Sequence, residues 1–519
     1  MLKAKYYIHP TELDLLVYEK LVTADHYLRR VKEVIDFEPL RDLVADCYSK
    51  DEGRPAEDPV LMFKLHFLEF HYDHSDRDVL TESEVNVAFR FFLDLSLDSP
   101  LPSPGLLSQF RTRLGVERFK KAFNEILRQA REHGLVKDRL RLKDATHVIA
   151  EIAVPSTIQL VAQVRTRLLE AARAFAPEEV AAHEARAEEI RQATADLKNV
   201  QRLLARVEHL REIVWWADEW SVRLGEAVAK GARLSDQEQE EVFKEALCLA
   251  HKVLQDRAPK AQDKLISLTD PEARAGKHGD WFDGYLLDAN MDADSELICA
   301  VDVLPANGDE AANAKALIES EEAAHGNDIE SLSIDSIGFR GEVLKELSDD
   351  PLGPQLTVYV PPYQWPGSAP ELFKPEDFIL DERGEELSCP GGQRTRSQGR
   401  APHKHGRQFF FRQSQCAQCP LRAQCLKPET KRRTVIKNDY EEQYRAAEQR
   451  AQTAEYKNVR KEHPKIERKL AEMIRWHEGR RVRYRGRLRV KIQYLLTAVV
   501  VNCKRIVKLL APHLHPQPA

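Results

Sequence analysis

The chain has 519 residues, 42% hydrophobic and 31% charged, a length that sets an expectation of roughly three to four domains. Its 78 Lys+Arg stand against 84 Asp+Glu, and a net charge of −6 excludes a uniformly basic coat for nucleic acid and a membrane-surface protein. No apolar run approaches the roughly 18 residues that span a bilayer, the N-terminus lacks a secretory apolar region, and eight cysteines are too few for a disulfide scaffold, so the expectation is a cytoplasmic protein with reduced thiols and no membrane partner.

Residues 1–135 read as a helical domain. Pro59–Tyr72 is apolar on most faces and predicts a buried helix. Ser75-Asp76-Arg77-Asp78 has capping character and opens the next one. The break Ser99-Pro100-Leu101-Pro102-Ser103-Pro104-Gly105 precedes two predicted helices, LLSQFRTRLG and VERFKKAFNEILRQAREHG, closed by Gly134. Arg111 and Arg113 on the first of these suggest a helix-turn-helix-like arrangement that reads DNA; a helical cap packed on a core is the alternative.

At Arg139 the pattern turns to alternation, with Leu140, Leu142 and Asp144 on one face of a predicted strand and Asp144 toward its C-terminal part. Residues 155–274 have helix-forming composition and predict an inserted hairpin or bundle. Trp216 and Trp220 share a helix face there, and with Trp215 they read as core, or else as a contact to DNA or a partner. Strands return at Trp281 as a hairpin turning through Asp292–Ser295. A helix ending at Gly326, a strand carrying Leu332 and Ile334, a short helix and a strand near QLTVYV follow. Residues 136–154 and 275–362 thus predict an α/β unit with one mixed central sheet. Residues 363–428 are rich in turns and cysteine. Residues 429–519 read as long helices, one of them starting at Pro464 with Ile466, Leu470, Met473 and Ile474 as its apolar stripe.

The net charge hides a segregation. Gln393–Arg433 holds 11 Lys/Arg against one acidic residue, and Tyr456–Lys508 holds 17 against four; Asp280–Asp350 reverses the sign, with 19 acidic residues against three basic. Two basic blocks and one acidic block fit a protein that grips a polyanion and also holds cations.

Asp144 and Asp335 stand at strand ends, and Glu467 on a late helix lies off its apolar stripe. Carboxylates from separate elements can hold two divalent ions about 3.5–4 Å apart for phosphodiester chemistry, and hard oxygen ligands suit Mg²⁺ or Mn²⁺. Glu462 and Glu472 rival Glu467, and composition does not separate the three. Cys389, Cys416-x2-Cys419 and Cys425 have the makings of a tetrahedral zinc site, with a reduced, metal-free knuckle as the alternative.

Several stretches resemble the bacterial insertion-sequence DDE transposases, in the subgroup with a Cys-rich, zinc-ribbon-like insert before the catalytic Glu. GRPAEDPVLMFKLHFLEFHYDHSDRDV and LSQFRTRLGVERF are similar to the family's N-terminal helical domain. LKDATHV, IDSIGFRGE and KIERKLAEMIRWHEGRRVRYRGRLRVKIQ are similar to its two Asp regions and its Glu helix. The resemblance covers about residues 20–155 and 275–510 and leaves 155–270 unmatched. It implies a ribonuclease H-like fold whose metal-binding triad is Asp144, Asp335 and Glu467, with cleavage of element ends and their transfer to target DNA by a homodimer or higher oligomer associated with the bacterial nucleoid. The Tyr-x2-Arg-x3-Glu-x6-Lys spacing of some relatives is absent: His463 lies four residues before Glu467, Arg460 seven before and Ile474 seven after.

Candidate phosphate contacts follow from the basic blocks: Arg394, Arg396, Arg400, Lys404, Arg407, Arg412 and Arg432 around the cysteines, then Arg460, Arg468, Arg480, Arg481, Arg483, Arg485, Arg487 and Arg489. In an extended tail the odd-numbered arginines would share one face and track a backbone, supplying affinity but no sequence information. The leading expectation is a DNA transposase acting by a two-metal mechanism. The alternatives are a catalytically inactive DNA-binding regulator and a ribonuclease H-like nuclease or resolvase.

Overall fold

The computed structural model describes residues 10–49, 53, 55–229, 234–363, 372–401 and 405–514. Six helices come first: α1 Glu12–Leu21, α2 Tyr27–Val34, α3 Pro59–His71, α4 Asp76–Val85, α5 Val87–Phe92 and α6 Pro104–Glu132. Asp58 caps α3 by accepting from the Val60 amide at 3.0 Å, and Pro59 fills its first position. Twelve of its thirteen residues are buried, as a helix apolar on all sides requires. The two helices predicted between the Pro-rich break and Gly134 are both present and directly joined: α6 is broken at Gly115, whose φ of 61° and ψ of −179° are not helical and which only a residue without Cβ adopts freely.

The central sheet is built from β1 Arg141–Ile149, β2 Arg274–His278, β3 Asp280–Asp292, β4 Ile298–Pro305, β5 Ser331–Ser333 and β6 Thr357–Tyr359. β3 pairs antiparallel with β1, β2 and β4, while β1–β5 and β5–β6 are parallel. The curled mixed sheet is compatible with the ribonuclease H-like expectation. Between β1 and β2 the chain makes α7 Thr157–Ala172, α8 Pro177–Ala193, α9 Asn199–Ala229 and α10 Leu234–Gln255, which close a separate core around Leu168, Leu210, Ile213 and Phe243. Trp216 and Trp220 pack on the edge of that core and donate to Glu179; Trp215, expected with them, is 81% exposed.

Helices α11 Ala314–His325 and α12 Gly341–Ser348 alternate with β5 and β6. The cysteine-rich stretch folds as two small sheets, β7 Ile379–Leu380, β8 Leu387–Ser388 and β9 Arg394–Thr395 in one, β10 Gln398–Ala401, β11 Gly406–Phe410 and β12 Thr434–Asn438 in the other, with short helices α13 Gln413–Ala417 and α14 Arg422–Cys425. Because β12 pairs with β11, this unit runs ten residues past its predicted end at 428. The charged helix predicted next is two, α15 Glu441–Ala451 and α16 Ala454–Glu462, since Thr453 caps the second by accepting from the Tyr456 amide at 3.1 Å. Then come α17 Pro464–Trp476 and α18 Arg487–Leu514.

The largest core is continuous from Leu28 through the sheet to Val507. Helix α18 packs against α2, α3, α6 and β4, and Asn502 in it satisfies both the amide and the carbonyl of Ile298 at 2.8 Å. The boundary predicted at 135 therefore divides the sequence but not the packing. Leu142 and Val148 of β1 face this core, as their alternation predicts. The opposite face of β1 is also covered: Arg141 is fully buried, with Asp292 at 2.9 Å and Glu321 of α11 at 2.6 Å, and Lys143 meets Asp288 at 2.7 Å. Buried charges persist only when paired, and these are.

Candidate active site

The β1–β5 ladder sets Arg141 opposite Leu332 and Leu142 opposite Ser333. Asp144 stands two residues further along β1 and Asp335 two residues past the end of β5, so the parallel register brings both to one end of the ladder, close enough for the charge of Asp335 to act on Asp144. Asp144 is the fourth of nine residues in β1, earlier than its expected C-terminal place; the pairing with β5 has ended two residues before it, at Leu142. One Asp144 oxygen accepts from the Ala145 amide at 2.8 Å, and Asp335 caps the turn Ser336–Gly338 by accepting from the Ile337 amide at 3.2 Å. Burial pushes the Asp144 carboxyl up to about 7; the Ala145 amide opposes this and the charge of Asp335 adds to it.

Arg460 on α16 donates to Ser333 Oγ at 3.1 Å and to the Ile334 carbonyl at 3.0 Å, tying its helix to the end of β5. Burial lowers its guanidinium below the ordinary value, and Tyr456, Asp335, Glu467 and Asp144 pull the other way. All three predicted acids thus lie within electrostatic reach of one cation. His463 is buried, stands 3.1 Å from Ser333 Oγ, and is pushed down to about 4 by that burial. Glu467 is exposed in the first turn of α17, whereas its two rivals are engaged: Glu462 with Arg139 at 3.3 Å, Glu472 with Lys504 at 2.8 Å and Lys469 at 3.0 Å. Glu310, just before α11, is a fourth acid of this neighbourhood. Its carboxyl is raised by burial, lowered by Lys143, and raised by Asp288 and Asp335. No motif marked it; membership of the acidic block was the only signal.

The four cysteines Cys389, Cys416, Cys419 and Cys425 line one cavity of about 20 Å³ with Phe378 and Phe411. At Gly391 a Cβ would stand 2.9 Å from Cys419 Sγ and 3.7 Å from Cys389 Sγ, so the CPGG turn needs glycine where the thiols gather. Burial raises the Cys425 thiol, Arg433 opposes that, and the other three cysteines add to it. All four are free thiols. Among the described residues no group of three or more His, Cys, Asp or Glu side chains is drawn together closely enough to form a ready-made metal site.

Two family models match the chain: Transposase domain (DUF772) over residues 16–113, and Transposase DDE domain over residues 388–507. Both matches are to transposase domains, and they support an insertion-sequence DDE transposase. No curated protein and no solved structure matches it. The second match takes in the four cysteines, Arg460 and Glu467; Asp144 and Asp335 lie outside both.

The transposase divides its predicted phosphate contacts into two groups. Arg111 is buried: it meets Asp76 at 2.8 and 2.6 Å, His66 Nε2 at 3.1 Å and Glu69 at 3.6 Å, and lies over the Tyr484 ring. Arg483 binds Asp73, the His74 carbonyl at 2.7 Å and Glu69 at 3.4 Å, and Arg480 donates to the His147 carbonyl. Those three arginines are engaged inside the protein, where they hold helices and strand together, and Arg111 and Arg483 also line the cavity beside Arg485. The tail does not run extended either. Arg481 sits at a bridge to Ile149, and Arg487 already opens α18.

Exposed to solvent are Arg113, Arg468, Arg481, Arg485, Arg487 and Arg489, and around the cysteines Arg394, Arg396, Arg400, Arg407, Arg412 and Arg432. Arg394 and Arg396 share Glu386 at 3.3 and 2.9 Å, and Arg407 donates to the Gly384 carbonyl at 2.9 Å. Lys404 lies outside the described residues. Arg485 and Arg489 line a cavity of about 380 Å³ with Ser108 and Thr112 of α6, where the N-terminal helices meet the tail. No helix among the described residues is long and apolar enough to cross a membrane.

Proposed function

We propose that this transposase binds the double-stranded ends of its insertion sequence, cleaves the strands there and joins them to target DNA, with Asp144, Asp335 and Glu467 as its catalytic carboxylates. The observation that carries the reading is the parallel register that brings Asp144 and Asp335 to one end of the ladder, with Arg460 in reach of both and of Glu467. The donor set is all carboxylate oxygen, which fits hard divalent cations, two Mg²⁺ or Mn²⁺. When bound, such ions activate the attacking water or 3′-hydroxyl and stabilise the leaving oxygen.

The chain's own residues supply the rest. Ser333 and Ile334, fixed by Arg460, set the end of β5 and therefore the position of Asp335. Arg460 brings one positive charge among the acids, where a scissile phosphate would otherwise meet only negative charge. The exposed arginines of the tail and of the cysteine-rich unit, with Arg468 beside Glu467 and Arg113 on α6, grip the DNA backbone by charge. Cys389, Cys416, Cys419 and Cys425 hold a structural Zn²⁺, so the Cys-rich insert is a zinc ribbon. The ribonuclease H-like core comprises 136–154 and 275–362, completed by α17; residues 1–135 and the cysteine-rich unit, 363–438 with β12 included, bind DNA, and 155–274 and 439–519 are the helical insertion and the Glu-bearing tail. The enzyme works in the cytoplasm at the nucleoid, as a homodimer or higher oligomer.

The test incubates the full chain with linear DNA carrying the element's ends and Mg²⁺ or Mn²⁺. Specific cleavage, abolished in Asp144→Ala and Asp335→Ala while DNA binding persists, is expected. Specific binding with no metal-dependent cutting by the wild-type chain overturns the catalytic reading and leaves a DNA-binding regulator; equal cutting of unrelated DNA leaves a general nuclease.

A further inference from the structure

Helix α9 is 31 residues long, and one of its faces is apolar and bare. Val200 is 69% exposed, Leu204 57%, Trp215 81% and Val222 64%. At 100° per residue these four fall within an arc of about 60°, with Arg211 and the His251-paired Asp218 between them, so they form a single stripe about 33 Å long. It lies apart from the residues α9 buries in the insertion core, among them Leu210 and Ile213. Isolated exposed apolar side chains need no explanation, but an aligned row centred on a tryptophan does.

We infer that this stripe is where two copies of the chain meet, α9 against α9, antiparallel about a two-fold axis between His209 and Leu210. The sequence is complementary to itself in that register. Trp215 faces the partner's Leu204, Val222 faces the partner's Leu197, and Arg211 faces the partner's Glu208; only Val200, at the end of the stripe, meets a polar residue, the partner's Glu219. Leu197, in the turn before α9, is also exposed, at 43%. Each contact occurs twice, as an isologous interface demands. The charges favour a second copy as the occupant: a lipid surface or a wholly apolar partner would bury the Arg211–Glu208 pair without adding any polar partner, whereas a second copy brings a further carboxylate and guanidinium to it at the centre of the stripe. Arg211 and Glu208 of one chain already form an ion pair, so both are oriented along this face before any partner arrives.

A stripe about 33 Å long and about 10 Å wide covers roughly 300 Å² on each copy, well under the ~1,200 Å² or more of total area buried in stable specific complexes. The pairing is therefore concentration-dependent rather than permanent, suited to bringing two DNA-bound copies together. It places the oligomer contact that the proposed function requires, on the segment that neither family model matches.

Sedimentation velocity on the full chain, with neither DNA nor metal present, tests this separately from catalysis. The weight-average mass of the wild type is expected to climb toward that of a dimer between about 1 and about 100 μM. Trp215→Glu and Leu204→Arg, both at exposed positions, are expected to weaken the dimer at least about tenfold with unchanged thermal melts. Arg211→Glu weakens it too, and the double reversal Glu208→Arg/Arg211→Glu restores it. A wild type that stays monomeric, a Trp215→Glu chain that pairs like the wild type, or a double reversal that fails to recover would each overturn the proposal.

Discussion

In the N-terminal region α3 buries nearly all of its surface and shares one core with the sheet and α18, while in the insertion α7 to α10 close a core of their own and leave a bare stripe on α9. Both regions are helical, and both are rich in Leu, Glu and Arg. The difference lies in where the apolar residues fall around each helix. A helix apolar on every side has no stable position except inside something larger, so α3 draws its neighbours into the catalytic body. Amphipathic helices satisfy one another and can be inserted between two strands without disturbing the sheet.

The largest expected effect separates the two cores. Phe67→Ala in α3 and Phe243→Ala in α10 each remove a fully buried ring, at a cost of about 3–5 kcal/mol. Phe67→Ala should lower the melting of helices and sheet together, whereas Phe243→Ala should release the insertion in a separate, earlier transition. Hydrogen exchange resolved by segment checks this, and a single common transition in both variants would erase the distinction between the regions.

Next in size are the arginines. Arg111→Ala leaves Asp76 without its bidentate partner and Glu69 buried beside one fewer cation, a loss on the order of 3 kcal/mol. Arg113→Ala, exposed two residues away, should change stability by less than about 0.5 kcal/mol. Chemical denaturation of the pair measures whether the N-terminal arginines act on the fold or on DNA.

A smaller effect is set by pH. His66 is fully buried, bonds the Met62 carbonyl at 2.7 Å and stands 3.1 Å from Arg111, and burial followed by that guanidinium holds it down to about 3. The unfolded chain protonates this imidazole near 6.5 and the folded chain does not, so the stability it lends is complete above that pH and is lost as pH falls toward 3. At pH 5 the loss is on the order of 2 kcal/mol. His66→Gln should flatten the decline of melting temperature between pH 7 and 5; an unchanged slope would assign it to other groups.

The smallest effect belongs to the exposed tail. Arg485→Ala should leave stability unchanged and lower DNA affinity alike for all sequences, reducing the salt dependence of binding by about one phosphate contact. An unchanged salt slope would remove the cavity beside α6 from the DNA path.

Much of this was legible residue by residue. Alternation at Leu140, Leu142 and Asp144 marked β1, apolar residues on most faces marked α3, the capping character of Ser75-Asp76-Arg77-Asp78 marked α4, and charge blocks marked where a polyanion could be held. The internal partners of Arg111 and Arg483 were not legible, because an arginine has the same letter whether its partner is a phosphate or the half-buried Asp76 and the buried Glu69. Arg141 and Lys143 lie on the face of β1 opposite Leu142, and their partners, Glu321 of α11 and Asp288 of β3, arrive from far along the chain. Glu310 carried no local pattern at all, and the self-matching face of α9 was hidden because periodicity does not reveal which side of a helix its neighbours leave open.

What the sequence determined by itself is therefore local: which segments form helices and strands, where they start and stop, and which residues have the chemistry to hold metal, thiol-bound zinc or phosphate. Those choices depend on dihedral preference, capping and the period of apolar residues, all expressed within a few turns. The tertiary structure decided which acids stand together, which cations are spent inside, and which apolar face remains for a partner. Parallel register between strands nearly two hundred residues apart brings Asp144 and Asp335 to one end of the ladder, and no property of either segment alone contains that register.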